Sequence, residues 1–293
     1  MTQITANGIG IEYDTFGSQL HEPLLLVMGL GAQMTLWRAE FCGLLADRGH
    51  YVIRFDNRDC GLSEKFANLG VPDVVQLRMQ LLAGEPAEAP YDLTDMADDA
   101  FGLLDALDIE SAHVCGASMG GMIVQSMALG APHRVRSLTS IMSSTGNPEL
   151  PPSTEEAMAA LMSPAATNRE EAIERTLRVS GIIGSPAYRP VAAEAALRAG
   201  AAYDRCFYPE GVARQMAAVV GGGNRKPALM ELTLPALVIH GEADPLVPVA
   251  AALDTQEALA GSRLLTFEGM GHDLPEPLWD DIVTGISELT QRH

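Results

Sequence analysis

Short apolar runs alternate with helix-like stretches along most of the sequence, and this alternation restricts the possible fold more than any other feature. A continuous apolar run is typical of a strand that is covered on both faces, as in a parallel sheet. The sequence therefore predicts an α/β fold with a mostly parallel sheet covered by helices on both faces. The runs are PLLLVMG, YVIRFDN, AHVCGAS, VRSLTSIM, ALVIHG and RLLTFEG.

For two helices, the sequence also indicates where the helix begins or ends. The first covers Leu36 to Asp47 and is closed by Gly49. The second lies within residues 91–107, where apolar residues recur at helical spacing behind a capping residue, either Asp92 or Thr94.

The alternation is interrupted near residue 147, where NPELPPSTEE brings three prolines together, and it resumes after the glycines at 221–223. Four stretches between these points have helix formers, capping residues and few strand formers. We therefore predict a helical cap insertion at residues 147–222 within an α/β core formed by residues 1–146 and 223–293. The four stretches are TEEAMAALM, NREEAIERTLRV, VAAEAALRA and PEGVARQMAAVV.

Ser118 lies in the sequence HVCGASMGGM, between a predicted strand and a predicted helix. A G-x-S-x-G match has little weight alone, but this strand-to-helix position is the setting of a nucleophile elbow. Gly116 and Gly120 permit the sharp turn, because a side chain at either position would crowd neighbouring backbone. The pattern predicts that Ser118 is a nucleophile.

A serine hydroxyl needs a base within hydrogen-bond reach and a third group that orients the base. When a G-x-S-x-G serine is the nucleophile, an acid and then a histidine follow it along the chain. Asp244 and His272 fit this order, each in a loop after a predicted strand. Glu242, two residues before Asp244, is the alternative acid.

The other histidines and the cysteines have less catalytic character. Cys115 is a rival nucleophile, but its place in the strand before the turn predicts a buried, inert thiol. The four cysteines are far apart, without a C-x-x-C pair, and are predicted to be free and mostly buried in a reducing compartment. We expect solvated histidines at 21, 50, 133 and 293, and structural ones at His113 and His240.

The attacked carbonyl develops an oxyanion, which needs preorganised hydrogen-bond donors. The backbone N–H of Met119 is one candidate, because it begins the helix after the nucleophile. The backbone N–H of Leu30, in the MGLG loop, is the second, with Gly31 as the alternative and a plain strand-ending turn as the structural reading. The side chains of Met28 and Met119 flank the serine and suggest an apolar acyl pocket.

Charge and composition exclude several function classes. The formal net charge is -19, so nucleic acid and anionic membrane surfaces are not expected partners. We expect no transmembrane helix, because no run of about 18 apolar residues occurs, and no secretory leader. The chain is expected to be cytoplasmic and to need neither a metal nor a cofactor.

With these motifs together, the chain resembles the α/β-hydrolase family over nearly its full length, and most closely its aclacinomycin methylesterase-type branch. The resemblance implies Ser118 as nucleophile, Asp244 as acid, His272 as base, and backbone donors at Leu30 and Met119. The matching stretches are LLLVMGLGAQ, VIRFDNRDCGLS, GASMGGM, LVIHGEADPLVP and EGMGHDLP.

Two positions depart from the family's pattern. Many members have His-Gly where this chain has Met28-Gly29, and many have Arg-Gly where it has Arg58-Asp59. A serine at 118 disfavours the dehalogenases and epoxide hydrolases, which use aspartate. Met119 disfavours the proline iminopeptidases, which usually have tryptophan there.

The sequence thus predicts a cofactor-free serine carboxylesterase that forms an acyl-enzyme. By the resemblance, its substrates are small or medium-sized esters, such as a polyketide methyl ester or a macrolide lactone. Carbon–carbon bond hydrolysis or perhydrolysis by the same residues is the alternative within enzymes. A ligand-binding protein on a hydrolase scaffold is the alternative outside them.

Overall fold

A computed structural model describes residues 2–292, so the prediction for His293 lies outside the described residues. Within them, eight strands form one sheet in the order β1-β2-β4-β3-β5-β6-β7-β8. The strands are β1 Thr2–Ala6, β2 Ile9–Phe16, β3 Glu22–Val27, β4 His50–Phe55, β5 Ala112–Ala117, β6 Val135–Ile141, β7 Ala236–Gly241 and β8 Arg263–Phe267.

The sheet is parallel from β4 to β8, and antiparallel only where β1 pairs with β2 and β2 pairs with β4. The predicted fold class is confirmed, and all six apolar runs form strands. Because the six parallel strands point the same way, their carboxyl ends lie along one edge of the sheet, where open α/β folds place their sites.

Eleven α-helices occur in residues 2–292. They are α1 Ala39–Asp47, α2 Val74–Leu82, α3 Leu93–Ala106, α4 Met119–Gly130, α5 Glu155–Leu161, α6 Arg169–Ile183, α7 Ala192–Arg205, α8 Pro209–Gly221, α9 Lys226–Leu229, α10 Ala250–Ala258 and α11 Trp279–Thr290. The first predicted helix begins late, since Met34–Leu36 forms a separate 3-10 turn and Arg38, the residue before α1, is extended.

Of the two candidate capping residues for α3, Asp92 and Thr94, the N-cap is Asp92. Its carboxylate accepts the backbone N–H groups of Thr94 and Asp95, and the Asp95 carboxylate accepts the Asp92 N–H in return. This reciprocal capping box satisfies donors that a helix end leaves without intrahelical partners.

Apolar residues of the strands face alternately to the two sides of the sheet. In β3, Leu25 and Val27 belong to one core cluster with α3 and α4. Leu24 and Leu26 belong to the other, with α1 and α11. A strand with apolar residues at every position is needed here, because both of its faces are buried.

The 147–222 segment contains α5, α6, α7 and α8, one for each of the four helical stretches predicted there. Arg225 joins the two ends of this segment: its backbone N–H donates to the Thr145 carbonyl over 2.8 Å, and its guanidinium donates to the Ser144 carbonyl over 2.9 Å. Burial lowers the pKa of Arg225 to about 10. The helix α2 was not predicted from the sequence.

In the part of the chain that the structure describes, no helix is both long and apolar enough to cross a bilayer. Residues 2–292 also contain no group of three or more His, Cys, Asp or Glu side chains arranged to hold a metal ion.

Candidate active site

Ser118 connects β5 to α4 in a strained backbone conformation. Its φ is 56° and its ψ is -121°, a region that residues with a side chain rarely occupy. Its backbone N–H donates to the Ile141 carbonyl over 2.9 Å, and its carbonyl accepts the Ser143 hydroxyl over 2.7 Å. These bonds to β6 and the loop after it hold the turn in place.

The glycines around Ser118 are required by close backbone contacts. A Cβ atom at Gly116 would overlap the Gly120 carbonyl, and one at Gly120 would overlap the Val27 carbonyl at the end of β3. A Cβ atom at Gly29 would lie 3.0 Å from the Ser118 Cβ. The MGLG loop after β3 therefore packs directly against the serine turn.

The structure brings Ser118, His272 and Asp244 together from three loops. The His272 Nε2 lies 2.9 Å from the Ser118 Oγ, and its Nδ1 lies 2.7 Å from the Asp244 Oδ2. The other oxygen of Asp244 accepts the backbone N–H groups of Leu246 and Val247, each over 2.9 Å. With its carboxylate held on both oxygens, Asp244 can fix the orientation of the imidazole.

Glu242, the alternative acid, is exposed and accepts the Thr266 hydroxyl over 2.7 Å. His240 is close to Asp244, with its Nε2 3.7 Å from the Asp244 Oδ2. This Nε2 is hydrogen-bonded to the Val247 carbonyl, and burial lowers the pKa of His240. His240 is thus a buried neighbour of the acid, as expected of a structural histidine.

One of the other histidine predictions is wrong. His50 is buried rather than solvated, because it begins β4 and its Nε2 lies 3.3 Å from the Thr290 hydroxyl at the end of α11. His113 is buried, with its Nδ1 2.8 Å from the Ser137 hydroxyl, as predicted. His21 and His133 are exposed, also as predicted.

Cys115 is fully buried in β5, and burial raises the pKa of its thiol. A protonated thiol with no access to solvent is a poor nucleophile, which agrees with the predicted bystander role. All four cysteines are free, and three of them are buried.

The two candidates from the MGLG loop differ in whether their N–H groups are available. Residues 29–32 form a turn in which the Ala32 N–H donates to the Gly29 carbonyl and Gly31 has a φ of 64°. The Gly31 N–H already donates to the Gln215 Oε1 over 2.7 Å. The Leu30 N–H makes no hydrogen bond to any part of residues 2–292, so Leu30 has the free donor.

Met119 is the first residue of α4, so its N–H lacks an intrahelical acceptor. The side chains of Met119 and Met28 are buried in opposite core clusters, at 1% and 4% exposure. The expectation that these two side chains form an acyl pocket is wrong, since neither presents a surface to a substrate.

The 147–222 segment contacts the loop that carries His272. The His272 N–H donates to the Ile183 carbonyl at the end of α6 over 2.7 Å. The Ser185 hydroxyl donates to the Asp273 carboxylate and accepts the Gly271 N–H, so it bonds on both sides of His272. Sequence reasoning missed this contact, because Ser185 has no motif of its own.

Asp59, at a position where many family members have glycine, has a φ of 63°. Its two oxygens accept the Arg214 Nε and an Arg214 terminal nitrogen over 2.7 and 2.8 Å, and both side chains are buried. Tyr91 and the Phe66 N–H also donate to it. The departure from the family's pattern therefore provides a buried ion pair that joins α8 to the loop after β4.

The chain is similar to a known protein family and to named hydrolases. The family model described as alpha/beta hydrolase fold matches residues 22–276. Rhodomycin D methylesterase DauP of Streptomyces sp. (strain C5) is 27% identical, with 98% of this chain and 97% of that protein covered. The 2-hydroxymuconate semialdehyde hydrolase of Pseudomonas sp. (strain CF600) is 28% identical, over 90% of this chain and 84% of that protein.

Among solved structures, the meta-cleavage product hydrolase CumD from Pseudomonas fluorescens IP01 superimposes with a TM-score of 0.79. The match covers 100% of this chain and 98% of that one at 20% identity, and it supports the fold alone.

Proposed function

The chain belongs to the α/β-hydrolase fold family and is a hydrolase, and on that basis we propose that it hydrolyses carboxylic esters through Ser118, His272 and Asp244. The observation that carries the proposal is the continuous chain of hydrogen bonds from the Ser118 hydroxyl through His272 to Asp244. The full-length similarity to a methylesterase adds support for an ester as substrate.

In the proposed reaction, the Ser118 Oγ attacks the ester carbonyl carbon while the His272 Nε2 accepts the hydroxyl proton. Asp244 orients the imidazole and stabilises its charged form. The N–H groups of Leu30 and Met119 donate to the oxyanion. Negative charge develops on this oxygen in the transition state, so the donors lower the free energy of the transition state more than that of the bound ester.

The tetrahedral intermediate then collapses, and the alcohol leaves with the proton from His272. This leaves an acyl group on Ser118. Water, deprotonated by His272, attacks the acyl carbon, and a second collapse releases the acid and restores the Ser118 hydroxyl.

The Ser118→Ala variant tests this proposal. With p-nitrophenyl acetate and butyrate, we expect wild-type turnover and a loss of at least about 10³-fold in Ser118→Ala, because the acyl-enzyme can no longer form. Ser126→Ala, which removes a hydroxyl on α4 that only bonds the Met122 carbonyl, should keep wild-type rates. Comparable turnover by wild type and Ser118→Ala would contradict the proposal.

The substrate class we propose is a methyl ester on a polyketide, since the methylesterase relative matches nearly end to end. A macrolide lactone would use the same steps, with the alcohol kept in the product. Turnover of methyl esters of polycyclic aromatic acids and of macrolactones, with product masses measured, separates the two. A methyl ester takes up water and releases methanol, so the acid is lighter than the ester by one CH2 group, whereas an opened lactone gains one water.

Carbon–carbon bond hydrolysis is the second candidate, favoured by the similarity to 2-hydroxymuconate semialdehyde hydrolase. Incubation with that semialdehyde distinguishes the candidates. Turnover of the semialdehyde far above that of every ester would favour this second activity.

A further inference from the structure

The turn that carries the Leu30 N–H is held from both sides by buried amide side chains. From the loop after β4, the Asn57 Nδ2 donates to the Met28 carbonyl over 2.8 Å. From α8, the Gln215 Oε1 accepts the Gly31 N–H over 2.7 Å. The Leu30 N–H thus lies between two anchored backbone groups.

Gln215 also binds the neighbouring loop. Its Nε2 donates to the Arg58 carbonyl over 2.8 Å, and the side chain is fully buried. One buried amide therefore joins the turn after β3 to the loop after β4, using both its acceptor and its donor. A buried amide with both functions bonded has a well-defined position.

The helix that carries Gln215 is itself fixed to both loops. A Cβ atom at Gly31 would lie 2.9 Å from a Val212 methyl carbon, and one at Gly211 would overlap the Asp59 carbonyl. The Arg214–Asp59 ion pair adds two hydrogen bonds beside Gln215. Contacts at 211, 212, 214 and 215 lie on one face of α8, so this face cannot shift without breaking several of them.

We propose that Gln215 is a positioning residue for ester hydrolysis, which sets the direction of the Leu30 N–H by holding the Gly31 N–H of the same turn. The glycine at 31 adopts a left-handed φ that the middle peptide of such a turn requires. When the Gly31 N–H loses its acceptor, that peptide can rotate, and the Leu30 N–H one peptide earlier loses its alignment. This inference rests on the proposed function.

The test compares Gln215→Met, which keeps the side chain's size but removes both hydrogen bonds, with Gln215→Glu, which keeps an acceptor for Gly31. With p-nitrophenyl acetate, we expect kcat to fall about 10- to 100-fold in Gln215→Met, with KM nearly unchanged. This loss is smaller than the one expected when an oxyanion donor is removed outright, because the Leu30 N–H is misaligned and not absent. Gln215→Glu should lie between Gln215→Met and wild type.

Gln33→Leu is the matched control. Gln33 also bonds the 147–222 segment: it donates to the carbonyls of Ala202 and Cys206 over 2.7 and 2.9 Å and accepts a hydrogen bond from an Arg205 terminal nitrogen over 2.6 Å, but it does not bond the Gly31 N–H. We expect Gln33→Leu to keep kcat within about twofold, although its urea midpoint falls because these hydrogen bonds are lost.

A second measurement separates positioning from general damage. A trifluoromethyl ketone adds to Ser118 and forms an oxyanion, so its affinity should fall in Gln215→Met by the same factor as kcat/KM. The affinity for p-nitrophenol, the leaving group, which has no acyl oxygen for these donors, should not change. An equal loss of affinity for both inhibitors, or a kcat within twofold of wild type, would overturn the inference.

The two proposals fail in different ways. A wild-type enzyme that neither turns over the ester nor binds the trifluoromethyl ketone overturns the proposed function, and the role of Gln215 with it. An active wild type with an equally active Gln215→Met variant overturns the role of Gln215 alone.

Discussion

In β3 every buried side chain is apolar, whereas α8, which joins the 147–222 segment to the loops after β3 and β4, buries Arg214 and Gln215 beside small residues. The rest of that segment buries little: α6 has no buried residue, and α5 buries only two alanines. Apolar burial stabilises the sheet without directional bonds. The segment instead depends on a few directional polar contacts, and these contacts lie next to the proposed reacting groups.

This difference separates the region that supplies the proposed reacting residues, the sheet and its loops, from the region that holds those loops in place, the 147–222 segment. Ser118, Asp244 and His272 follow strands or lie in loops of the sheet region. The 147–222 segment supplies backbone and side-chain contacts to the loops around them, among them those of Ile183, Ser185 and Gln215. Variants of Ser118, Asp244 and His272 should therefore abolish activity, whereas variants in the segment should change its rate or its stability.

The largest effect is expected for Asp244→Asn. Without the carboxylate, His272 loses the group that fixes its orientation and stabilises its charge, so kcat with p-nitrophenyl acetate should fall by about 10⁴-fold. Glu242→Gln is the control, and its kcat should stay within about twofold, since within residues 2–292 the Glu242 carboxylate accepts a hydrogen bond from Thr266 alone. An equal loss in both variants would contradict the assignment of the acid.

The next largest effect concerns the buried ion pair. Asp59→Gly leaves the Arg214 guanidinium buried without its partner, which should cost about 3 to 5 kcal/mol in the free energy of unfolding by urea. Asp59→Gly/Arg214→Met should recover part of that loss.

Asp108→Gly is the control for the effect of placing glycine at a position with positive φ, which Asp59→Gly also does. Asp108 has a φ of 57° but is exposed, so the substitution should change the free energy of unfolding by less than about 1 kcal/mol. Similar losses in Asp59→Gly and Asp108→Gly would mean that the backbone, not the ion pair, sets the stability.

The contribution of the buried Asp59–Arg214 pair to stability should also depend on pH. Burial acts to raise the pKa of Asp59, but hydrogen bonds from Arg214, the Phe66 N–H and Tyr91 hold it below the ordinary value. A carboxyl with a lowered pKa stabilises the fold above the pKa it has when unfolded, about 3.9, and loses this effect as the pH falls further. The stability difference between wild type and Asp59→Asn should be constant above about pH 5 and shrink below pH 4. A difference that is unchanged down to pH 3 would contradict this.

The smallest effect is expected within the 147–222 segment. Arg169 on α6 and Asp204 on α7 form two hydrogen bonds of 2.8 and 2.9 Å, much like the buried pair, but their side chains are 52% and 56% exposed. Solvent screens such a pair, so Arg169→Ala should leave the urea midpoint unchanged within error. A loss comparable to that of Asp59→Gly would remove the distinction between the two pairs.

Local sequence patterns were sufficient for much of the fold. The six apolar runs became strands, and the four stretches between 147 and 222 became helices. Thr154 and Asn168 cap two of these helices through their side chains. The exposed helix α2 was missed, because it buries only Leu77 and has little periodic pattern to find. His50 was misjudged because its burial depends on α11, 240 positions away in the sequence.

The sequence by itself determined the α/β class, the serine turn with its two glycines, and the order of serine, aspartate and histidine, since each depends on periodicity or turn chemistry within a few residues. Only the tertiary structure decided that, within residues 2–292, the Gly31 N–H is occupied while that of Leu30 is free, and that Asp59 pairs with Arg214. These contacts join residues 184 and 155 positions apart. They follow from how α8 lies across two loops, and such long-range packing leaves no local pattern in the sequence.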